Sequence, residues 1–373
     1  MSRPVSLPQP CPTTPSPAEP LDLAAAAALE GVRGANPLVG AVISGPDGAV
    51  LAVGHHRGRG TPHAEADALT RWRAARAQDR ALAAVDPAAC TMHVTLEPCD
   101  HTGTTGPCSL AILDADLGAV RYAVADATGA EGGGAARLAR AGVRVTGPTG
   151  HAASAALTDR WRHVRDAGRP WVTAHLAQSL DGQAAAADGT SRWITGPASR
   201  AHAHEVRARV DAIVVGTGTV AADDPRLTAR DIDGSDHPVQ PVPVIQGRRD
   251  LPAGAALADR ADLIHVRSHD PHAVLATLAA HPCPWPHGGS RPGHLLIEGG
   301  PHVLGAWLAA GLVDEVFAYT APLLLGPGLP AVAGLPVGTL AEGLRWAPDP
   351  SEGGPVRTLG DDVLFHLAPT AKD

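Results

Sequence analysis

The chain has 373 residues, a hydrophobic content of 44% and a formal net charge of −8. This length predicts two domains, and the acidic balance argues against a nucleic-acid partner, because phosphate binding needs a basic face. No apolar run approaches the roughly 18 residues of a membrane helix, and the N-terminus has no apolar signal core. The five cysteines fit a reduced compartment, so we expect a cytoplasmic two-domain enzyme.

The first half of the chain alternates predicted strands and helices, which indicates a layered α/β domain over residues 21–168. Residues 1–20 are rich in proline and predict a disordered leader. An alanine-rich helix over residues 21–33 should end at Gly34. The other predicted elements are strands at 41–44, 49–54, 91–96, 120–125 and 143–145, and helices at 63–76, 110–116 and 137–141.

Three short motifs, His63-Ala64-Glu65, Pro98-Cys99 and Pro107-Cys108, carry the residue types of a zinc site. His63, Cys99 and Cys108 supply three ligands, and a catalytic zinc keeps its fourth position for water. Zinc deaminases use the same H-x-E and P-C elements, although here eight residues separate the cysteines instead of two. Zinc lowers the pKa of its water, and Glu65 would carry a proton from that water to the departing ammonia.

Two other interpretations of the cysteines stay open. A closed structural zinc site would need a fourth ligand, for which His101 is the nearest candidate. A disulfide between Cys99 and Cys108 is the second alternative, disfavoured in a reduced compartment. The Gly/Thr-rich loop at residues 101–106 is long enough to wrap a substrate. Asn36 either presents its amide to a ring edge or only shapes the turn before a proline.

The second half restarts the α/β pattern after a helical stretch at residues 147–169, so we place a second domain at residues 169–373. Gly216-Thr217-Gly218-Thr219 and Glu298-Gly299-Gly300-Pro301 both follow predicted strands. Such turns either cradle a phosphate at a helix N-terminus or only reverse the chain. Arg207 and Arg230 either clamp a substrate phosphate or are solvated surface residues. The elements predicted here are strands at 171–177, 212–215, 294–297 and 313–320, a helix at 199–210, a helix ending at 310, and a polar loop at 233–243.

Together these motifs resemble the bifunctional deaminase/reductase of riboflavin biosynthesis, over about residues 21–370. The resembling segments are residues 36–40, 63–65 and 95–108 in the first half, and 179–182, 193–195, 223–228, 298–301 and 311–315 in the second. The resemblance implies a cytidine-deaminase-like αβα layered domain followed by a dihydrofolate-reductase-like α/β domain. It also implies a homo-oligomer.

The same resemblance implies two reactions and their residues. The first domain would deaminate a phosphoribosylamino-diaminopyrimidinone, and the second would use NADPH to reduce the ribose to a ribityl chain. Residues expected at NADPH are Ala177, Trp193, Thr219, Asp223, Gly300 and Pro301. Residues expected at the substrate are Asn36, Ser191, Arg207, Leu227, Arg230 and Glu298.

The chain departs from the family pattern mainly in its second half. The family usually has lysine at the positions of His175 and Leu323 and a basic residue at Gln183. An imidazole does not carry the permanent charge of a lysine at neutral pH. The strand at residues 243–246 lacks its usual arginine and aspartate, and an Asp-Pro-Asn-Pro loop is replaced at residues 126–129.

We therefore expect intact zinc deamination coupled to NADPH-dependent reduction. The alternative is a deaminase with an inactive or retargeted reductase-like domain, acting on a related pyrimidine or purine intermediate. A nucleic-acid deaminase is disfavoured by the net charge and the cysteine spacing. A second domain that serves only for assembly would fail to bind NADPH.

Overall fold

The computed structural model describes residues 19–101, 106–126, 133–282, 285–287 and 290–370. The predicted leader lies outside the described residues except for its last two positions, of which Pro20 already opens a helix. Residues 102–105 of the expected substrate loop and residues 127–129 also lie outside them. None of the helices in the described part of the chain combines the length and apolar character of a membrane span.

The N-terminal part is built on a five-stranded sheet. Its strands are β1 (Gly40–Ser44), β2 (Val50–His55), β3 (Thr91–Leu96), β4 (Ala119–Val124) and β5 (Arg144–Thr146), in the order β2-β1-β3-β4-β5. Its helices are α1 (Pro20–Ala28), α2 (Ala64–Gln78), α3 (Arg80–Ala83), α4 (Cys108–Leu113), α5 (Gly134–Arg140) and α6 (Ala152–Asp166). The β1 strand pairs antiparallel with β2 and β3, whereas β3, β4 and β5 are parallel.

Two glycines let α1 and α2 approach opposite faces of this sheet. A Cβ at Gly40 would lie 1.9 Å from the Ala24 carbonyl oxygen of α1, and one at Gly54 would lie 2.3 Å from the Ala68 nitrogen of α2. Gly54 is the register partner of Ala41, the residue after Gly40. Because successive residues of a strand point to opposite faces, the two helices cover opposite faces. This confirms the layered αβα arrangement expected from the sequence.

The C-terminal part is built on a larger mixed sheet. Its strands, in spatial order, are β10 (Ile264–Val266), β9 (Val242–Gln246), β8 (Ala212–Gly216), β11 (His294–Ile297), β6 (Trp171–Ser179), β12 (Glu315–Ala321), β16 (Asp362–Pro369) and β14 (Trp346–Pro348), with β15 (Val356–Leu359) also on β16. Strands β10 through β12 in that order are parallel, and β16 is antiparallel to its neighbours. A separate small pair joins β7 (Gln183–Ala185) to β13 (Leu329–Pro330).

Helices cover both faces of this second sheet. They are α7 (Pro197–Ala208), α8 (Thr217–Asp223), α9 (Pro271–Ala280) and α10 (Pro301–Ala309). One apolar cluster contains Val206 of α7 and Val220 of α8, and the other contains Val274 of α9 and Trp307 of α10. Parallel strands buried on both faces are rich in β-branched residues, as the fully buried Ala-Ile-Val-Val-Gly sequence of β8 illustrates.

Several predicted boundaries are wrong. The first helix ends at Ala28 instead of residue 33, because the following residues make tertiary contacts. The fourth helix begins at Cys108 instead of residue 110 and ends at Leu113, and the stretch predicted at 147–169 is helical only over 152–166. The Gly216–Thr219 turn is mostly the first turn of α8, and the loop predicted to reach residue 243 gives way to β9 at Val242.

Candidate functional site

The three predicted zinc ligands come together at one edge of the N-terminal sheet. The His63 Nδ1 lies 3.5 Å from the Cys99 Sγ and 3.3 Å from the Cys108 Sγ. All three donor atoms lie within 4.8 Å of one another. One imidazole nitrogen and two sulfurs at this spacing match the ligand chemistry of zinc.

Local structure explains why these side chains converge. His63 is the N-cap of α2, and its side chain makes no capping hydrogen bond. Cys108 is the first residue of α4, and its backbone N–H donates to the Cys99 Sγ (3.4 Å). Cys99 was expected at the edge of the next helix. It lies instead in the loop after β3, and its Sγ contacts the first residue of α4.

Two acidic residues hold the loop that carries Cys99. The Glu97 carboxylate accepts backbone N–H bonds from Asp126, Gly133 and Ala135 at 3.2–3.3 Å. The Asp100 carboxylate accepts from the Ser109 hydroxyl (2.5 Å) and from Arg137. The sequence motif contains Glu97, but its task of tying the loop to the start of α5 is visible only in the structure.

The pKa values of the two thiols are shifted in opposite directions. Hydrogen bonding by the Cys108 thiol, followed by that of His63, lowers the pKa of the Cys99 thiol to about 4, despite burial. The hydrogen bond with Cys99, together with burial, raises the pKa of the Cys108 thiol, which therefore keeps its proton. Zinc binds thiolates, so the remaining proton must leave when a metal enters.

The alternatives for the cysteines do not agree with this geometry. Cys99 and Cys108 are both free thiols, which excludes a disulfide between them in this structure. His101, the candidate fourth ligand of a closed site, does not join the donor cluster found among the described residues. Three protein ligands with an open fourth position are the arrangement of a catalytic zinc site.

Glu65 lies beside the predicted metal ligands without belonging to the donor cluster. It stands in the first turn of α2, is only 3% exposed, and its carboxyl group is hydrogen-bonded to the Cys108 thiol. Burial raises the pKa of Glu65. A carboxyl group held in this way can accept and return a proton.

His56 is a site residue that the sequence analysis missed. Its Nε2 is 3.0 Å from the Asn36 Nδ2, and its Nδ1 is 3.0 Å from the Pro62 carbonyl oxygen. Its ring meets the His63 ring edge-on, with centroids 5.5 Å apart. These contacts link Asn36 to His63, the predicted metal ligand. The His55-His56 pair just before the zinc motif was the available signal in the sequence.

Four of the residues expected at NADPH lie at or just after the carboxyl ends of parallel strands in the second domain, where open α/β sheets bind ligands. They are Ala177, Thr219, Gly300 and Pro301. Ala177 is exposed near the end of β6, and Trp193 is 68% exposed with the Arg200 guanidinium 4.7 Å from its ring centre. The Thr219 Oγ1 accepts a hydrogen bond from the Gly300 N–H (3.0 Å). This bond brings the starts of α8 and α10 together.

The other expected cofactor residues complete this edge. The Ser191 hydroxyl is 3.5 Å from an Asp223 carboxylate oxygen at the end of α8, and Pro301 is the first residue of α10. Adjacent glycine-bordered helix N-termini suit the phosphates of a dinucleotide, and the exposed indole of Trp193 offers an apolar surface to a ring. The residues present therefore fit NADPH.

Buried His175 and the largely buried Glu298 and Arg207 form one group. The Arg207 Nε is 3.0 Å from both Glu298 carboxylate oxygens, and its second terminal nitrogen is 2.6 Å from Oε2. The His175 Nδ1 is 3.3 Å from Oε1. Burial opposes ionisation of Glu298, but Arg207 outweighs it and holds the pKa of Glu298 well below its usual range. Burial lowers the pKa of His175, so its imidazole is neutral.

Two family models match separate parts of the chain. Residues 18–124 match the cytidine and deoxycytidylate deaminase zinc-binding region, and residues 170–348 match the RibD C-terminal domain. The riboflavin biosynthesis protein RibD of Mycobacterium tuberculosis strain H37Rv is 42% identical over 91% of this chain and 93% of its own length. The chain belongs to the RibD family.

Other RibD proteins agree along the whole chain. The Escherichia coli K12 protein is 31% identical over 89% of this chain and 93% of its own length. The structure of Acinetobacter baumannii RibD (form 1) is 31% identical with a TM-score of 0.65, covering 94% of this chain and 97% of that one. A Thermotoga maritima structure described as a diaminohydroxyphosphoribosylaminopyrimidine deaminase/5-amino-6-(5-phosphoribosylamino)uracil reductase is 26% identical with a TM-score of 0.63, covering 94% and 98%.

As a RibD, the protein is a bifunctional deaminase/reductase of riboflavin biosynthesis, with a zinc-binding deaminase domain and a reductase domain of the NADPH-dependent type. This confirms the expected family, fold class, enzyme type and cofactors. No finding favours the alternative of a retargeted second domain.

The structure shows the surroundings of the residues at which this chain departs from the family pattern. His175 does not supply a lysine's charge, but Arg207 already balances Glu298. The Gln183 amide donates to the Asp181 carbonyl oxygen (3.0 Å). Leu323 is 39% exposed, and its presence in place of a lysine has no structural explanation. The uncharged strand at residues 243–246 is a regular buried part of β9.

Two residues expected at the substrate, Leu227 and Arg230, differ in burial. Arg230 is exposed and pairs by a backbone bridge with Asp236. Leu227 is 4% exposed, and its side chain belongs to the apolar cluster that contains Val206 and Val220. Its backbone is left-handed. A phosphate clamp by Arg207 and Arg230 stays a prediction.

Proposed function

We propose that the N-terminal domain deaminates the phosphoribosylamino-diaminopyrimidinone of the riboflavin pathway, with His63, Cys99 and Cys108 as zinc ligands and Glu65 as proton carrier. The convergence of the three donor atoms beside a buried carboxyl group supports this proposal most strongly. A bound zinc supplies Lewis-acid activation of water.

In this proposal, Glu65 accepts a proton from the attacking water and returns it to the leaving nitrogen. A C–O bond forms, the C–N bond breaks, and ammonia leaves. The Asn36 amide binds the edge of the pyrimidine ring. Its contact with His56 (3.0 Å) supports this role, because it holds the amide close to the metal ligands.

We also propose that the C-terminal domain reduces the deaminated product, with Ala177, Trp193, Thr219, Asp223, Gly300 and Pro301 at NADPH. NADPH supplies a hydride to the ribose carbon. Ser191, Arg207, Leu227, Arg230 and Glu298 hold the substrate. The Arg207–Glu298 pair fixes its own geometry before substrate arrives, which favours an oriented site. We place the domain boundary near residue 168, the enzyme in the cytoplasm, and the chain in a homo-oligomer.

Two assays on the full-length protein test this proposal. Ammonia release from the aminated pyrimidine reports the first reaction, and NADPH oxidation with the deaminated intermediate reports the second. Glu65→Gln should lower kcat of ammonia release by about 10²–10⁴-fold and leave NADPH oxidation unchanged. A Glu65→Gln enzyme that releases ammonia at the wild-type rate would refute the role of Glu65. A wild-type protein that leaves NADPH unoxidised would refute the second reaction.

A further inference from the structure

Residues 29–36, here called the α1–β1 segment, form the first part of the connection between Ala28 at the end of α1 and Gly40 at the start of β1. The segment packs closely on its own domain, since a Cβ at Gly31 would lie 2.3 Å from the His56 carbonyl oxygen. The Ala35 carbonyl oxygen accepts a hydrogen bond from the Trp161 Nε1 of α6 (2.9 Å). Asn36, the proposed pyrimidine contact, is its last residue.

The C-terminal domain holds the same segment from the other side. The Glu352 N–H donates to the Leu29 carbonyl oxygen (3.1 Å), and the Arg33 Nε donates to the Asp349 Oδ2 (2.7 Å). A Cβ at Gly34 would lie 2.9 Å from the Nδ1 of His294. Three successive parts of the segment are thus fixed by residues more than 250 positions away in the sequence.

Asp349 is anchored firmly enough to act as a fixed point. Its side chain is 1% exposed, and its Oδ1 accepts from the backbone N–H (3.0 Å) and the hydroxyl (2.7 Å) of Ser351. Arg160 of α6 also reaches the Oδ2 (3.2 Å). Burial opposes the charge, but Arg33, His366 and the Ser351 N–H hold the pKa of Asp349 below its ordinary value. The carboxylate is therefore ionised when it binds Arg33.

A buried network of ion pairs and hydrogen bonds connects the two holding points through the reductase sheet. His366 lies 4.0 Å from Asp349 and pairs with Glu315 (2.7 Å). Glu315 accepts from the Thr173 hydroxyl (2.6 Å), which lies 2.8 Å from the Nε2 of His294. Since His294 packs on Gly34, the network begins and ends at the α1–β1 segment.

We infer that the reductase domain positions Asn36 for the deaminase reaction, with Asp349 as a positioning residue that acts through Arg33. The inference rests on the proposed role of Asn36. It makes the second domain part of the first domain's pyrimidine site, although no reductase residue need touch the pyrimidine.

Two matched substitutions in the full-length enzyme test this inference. Arg33→Gln detaches the segment from Asp349 but leaves Arg160 to balance the carboxylate. Arg160→Gln removes the other cation from the same oxygen and leaves Arg33 in place. Asp349→Asn is a second way to weaken the contact, and Asn36→Ala tests the pyrimidine contact itself. The measurements are KM and kcat of ammonia release, bound zinc, and NADPH oxidation.

We expect Arg33→Gln and Asp349→Asn to raise KM for the pyrimidine about three- to tenfold, the equivalent of about one net hydrogen bond. Zinc content, kcat and NADPH oxidation should stay near wild type, and Arg160→Gln should not change KM. If Asn36→Ala raises KM but Arg33→Gln and Asp349→Asn do not, the inference is wrong and the proposed role of Asn36 stands. If Asn36→Ala leaves KM unchanged, both fail. An equal effect of Arg160→Gln, or parallel loss of zinc and reductase activity, would show a general structural defect and overturn the inference.

Discussion

Gly54 of β2 faces the first turns of α2, the helix that follows the proposed zinc ligand His63. A Cβ at this position would lie 2.3 Å from the Ala68 nitrogen and 2.5 Å from the Ala64 carbonyl oxygen, whereas ordinary contacts begin at 3.4 Å. In Gly54→Ala, α2 must therefore move from β2 by about 1.1 Å, the difference between 3.4 and 2.3 Å. Glu65 and His63 would move with the helix, and the two cysteines would not.

We expect two separable effects of Gly54→Ala. Overpacking should lower the free energy of unfolding by about 1–3 kcal/mol, which corresponds to a loss of roughly 2–12 °C in Tm for a domain of this size. A misplacement of about 1 Å at a reacting centre can lower the rate by about 10²-fold, so kcat/KM of ammonia release should fall by that order. Thermal unfolding and the ammonia assay measure the two effects.

Gly118→Ala is the matched control in the same domain. A Cβ there would lie 1.8 Å from the Ala88 carbonyl oxygen, a closer approach than at Gly54. Gly118 precedes β4 and packs on the turn at residues 87–89, away from the donor cluster. It should lose a comparable amount of stability and keep its rate. If both variants lose activity equally, or if Gly54→Ala keeps full activity, the positional argument is wrong.

Two further predictions concern the predicted metal ligand Cys108 and the buried His366. Cys108→Ser should abolish zinc binding and ammonia release but preserve NADPH oxidation; metal analysis with both assays measures this, and ammonia release without zinc would contradict the site. Burial lowers the pKa of His366, but Glu315, with Asp349 and Glu352, outweighs burial and raises that pKa. The ion pair of protonated His366 should therefore stabilise the fold fully below a pH of about 6.5, the ordinary pKa of histidine. This stabilisation should be lost as the pH rises through the raised pKa of His366. Urea unfolding across that range should show this decline in the wild type and not in His366→Gln; parallel curves would refute it.

The zinc site could be predicted from sequence because its information is local. Each ligand stands in a short motif beside a proline or an acidic residue, and the strand before Cys99 has the predicted bounds of residues 91–96. The buried strands β8 and β11 could also be predicted from the sequence, because apolar runs such as Ala-Ile-Val-Val are typical of a sheet covered on both faces.

The α1–β1 segment could not be predicted in the same way. Its residues favour continuation of the helix to residue 33. Instead, the Leu29 carbonyl oxygen accepts a hydrogen bond from the Glu352 N–H, and the Arg33 guanidinium donates to the Asp349 carboxylate. Local propensity cannot report contacts with residues so distant in sequence. The contact between His175 and Glu298 could not be predicted from the sequence either. Burial lowers the pKa of His175, and burial depends on the tertiary structure.

The position of β16 has a consequence for synthesis on the ribosome. This strand follows all the others in chain order, yet it lies inside the larger sheet between β12 and β14. The deaminase sheet contains only residues before 147, so it can form while the rest of the chain is still being translated. The reductase sheet must wait for residues 362–369, and until then β12 presents an open edge that can pair with another chain. Slow translation or truncation before residue 362 should therefore yield a folded deaminase attached to an aggregation-prone partner domain.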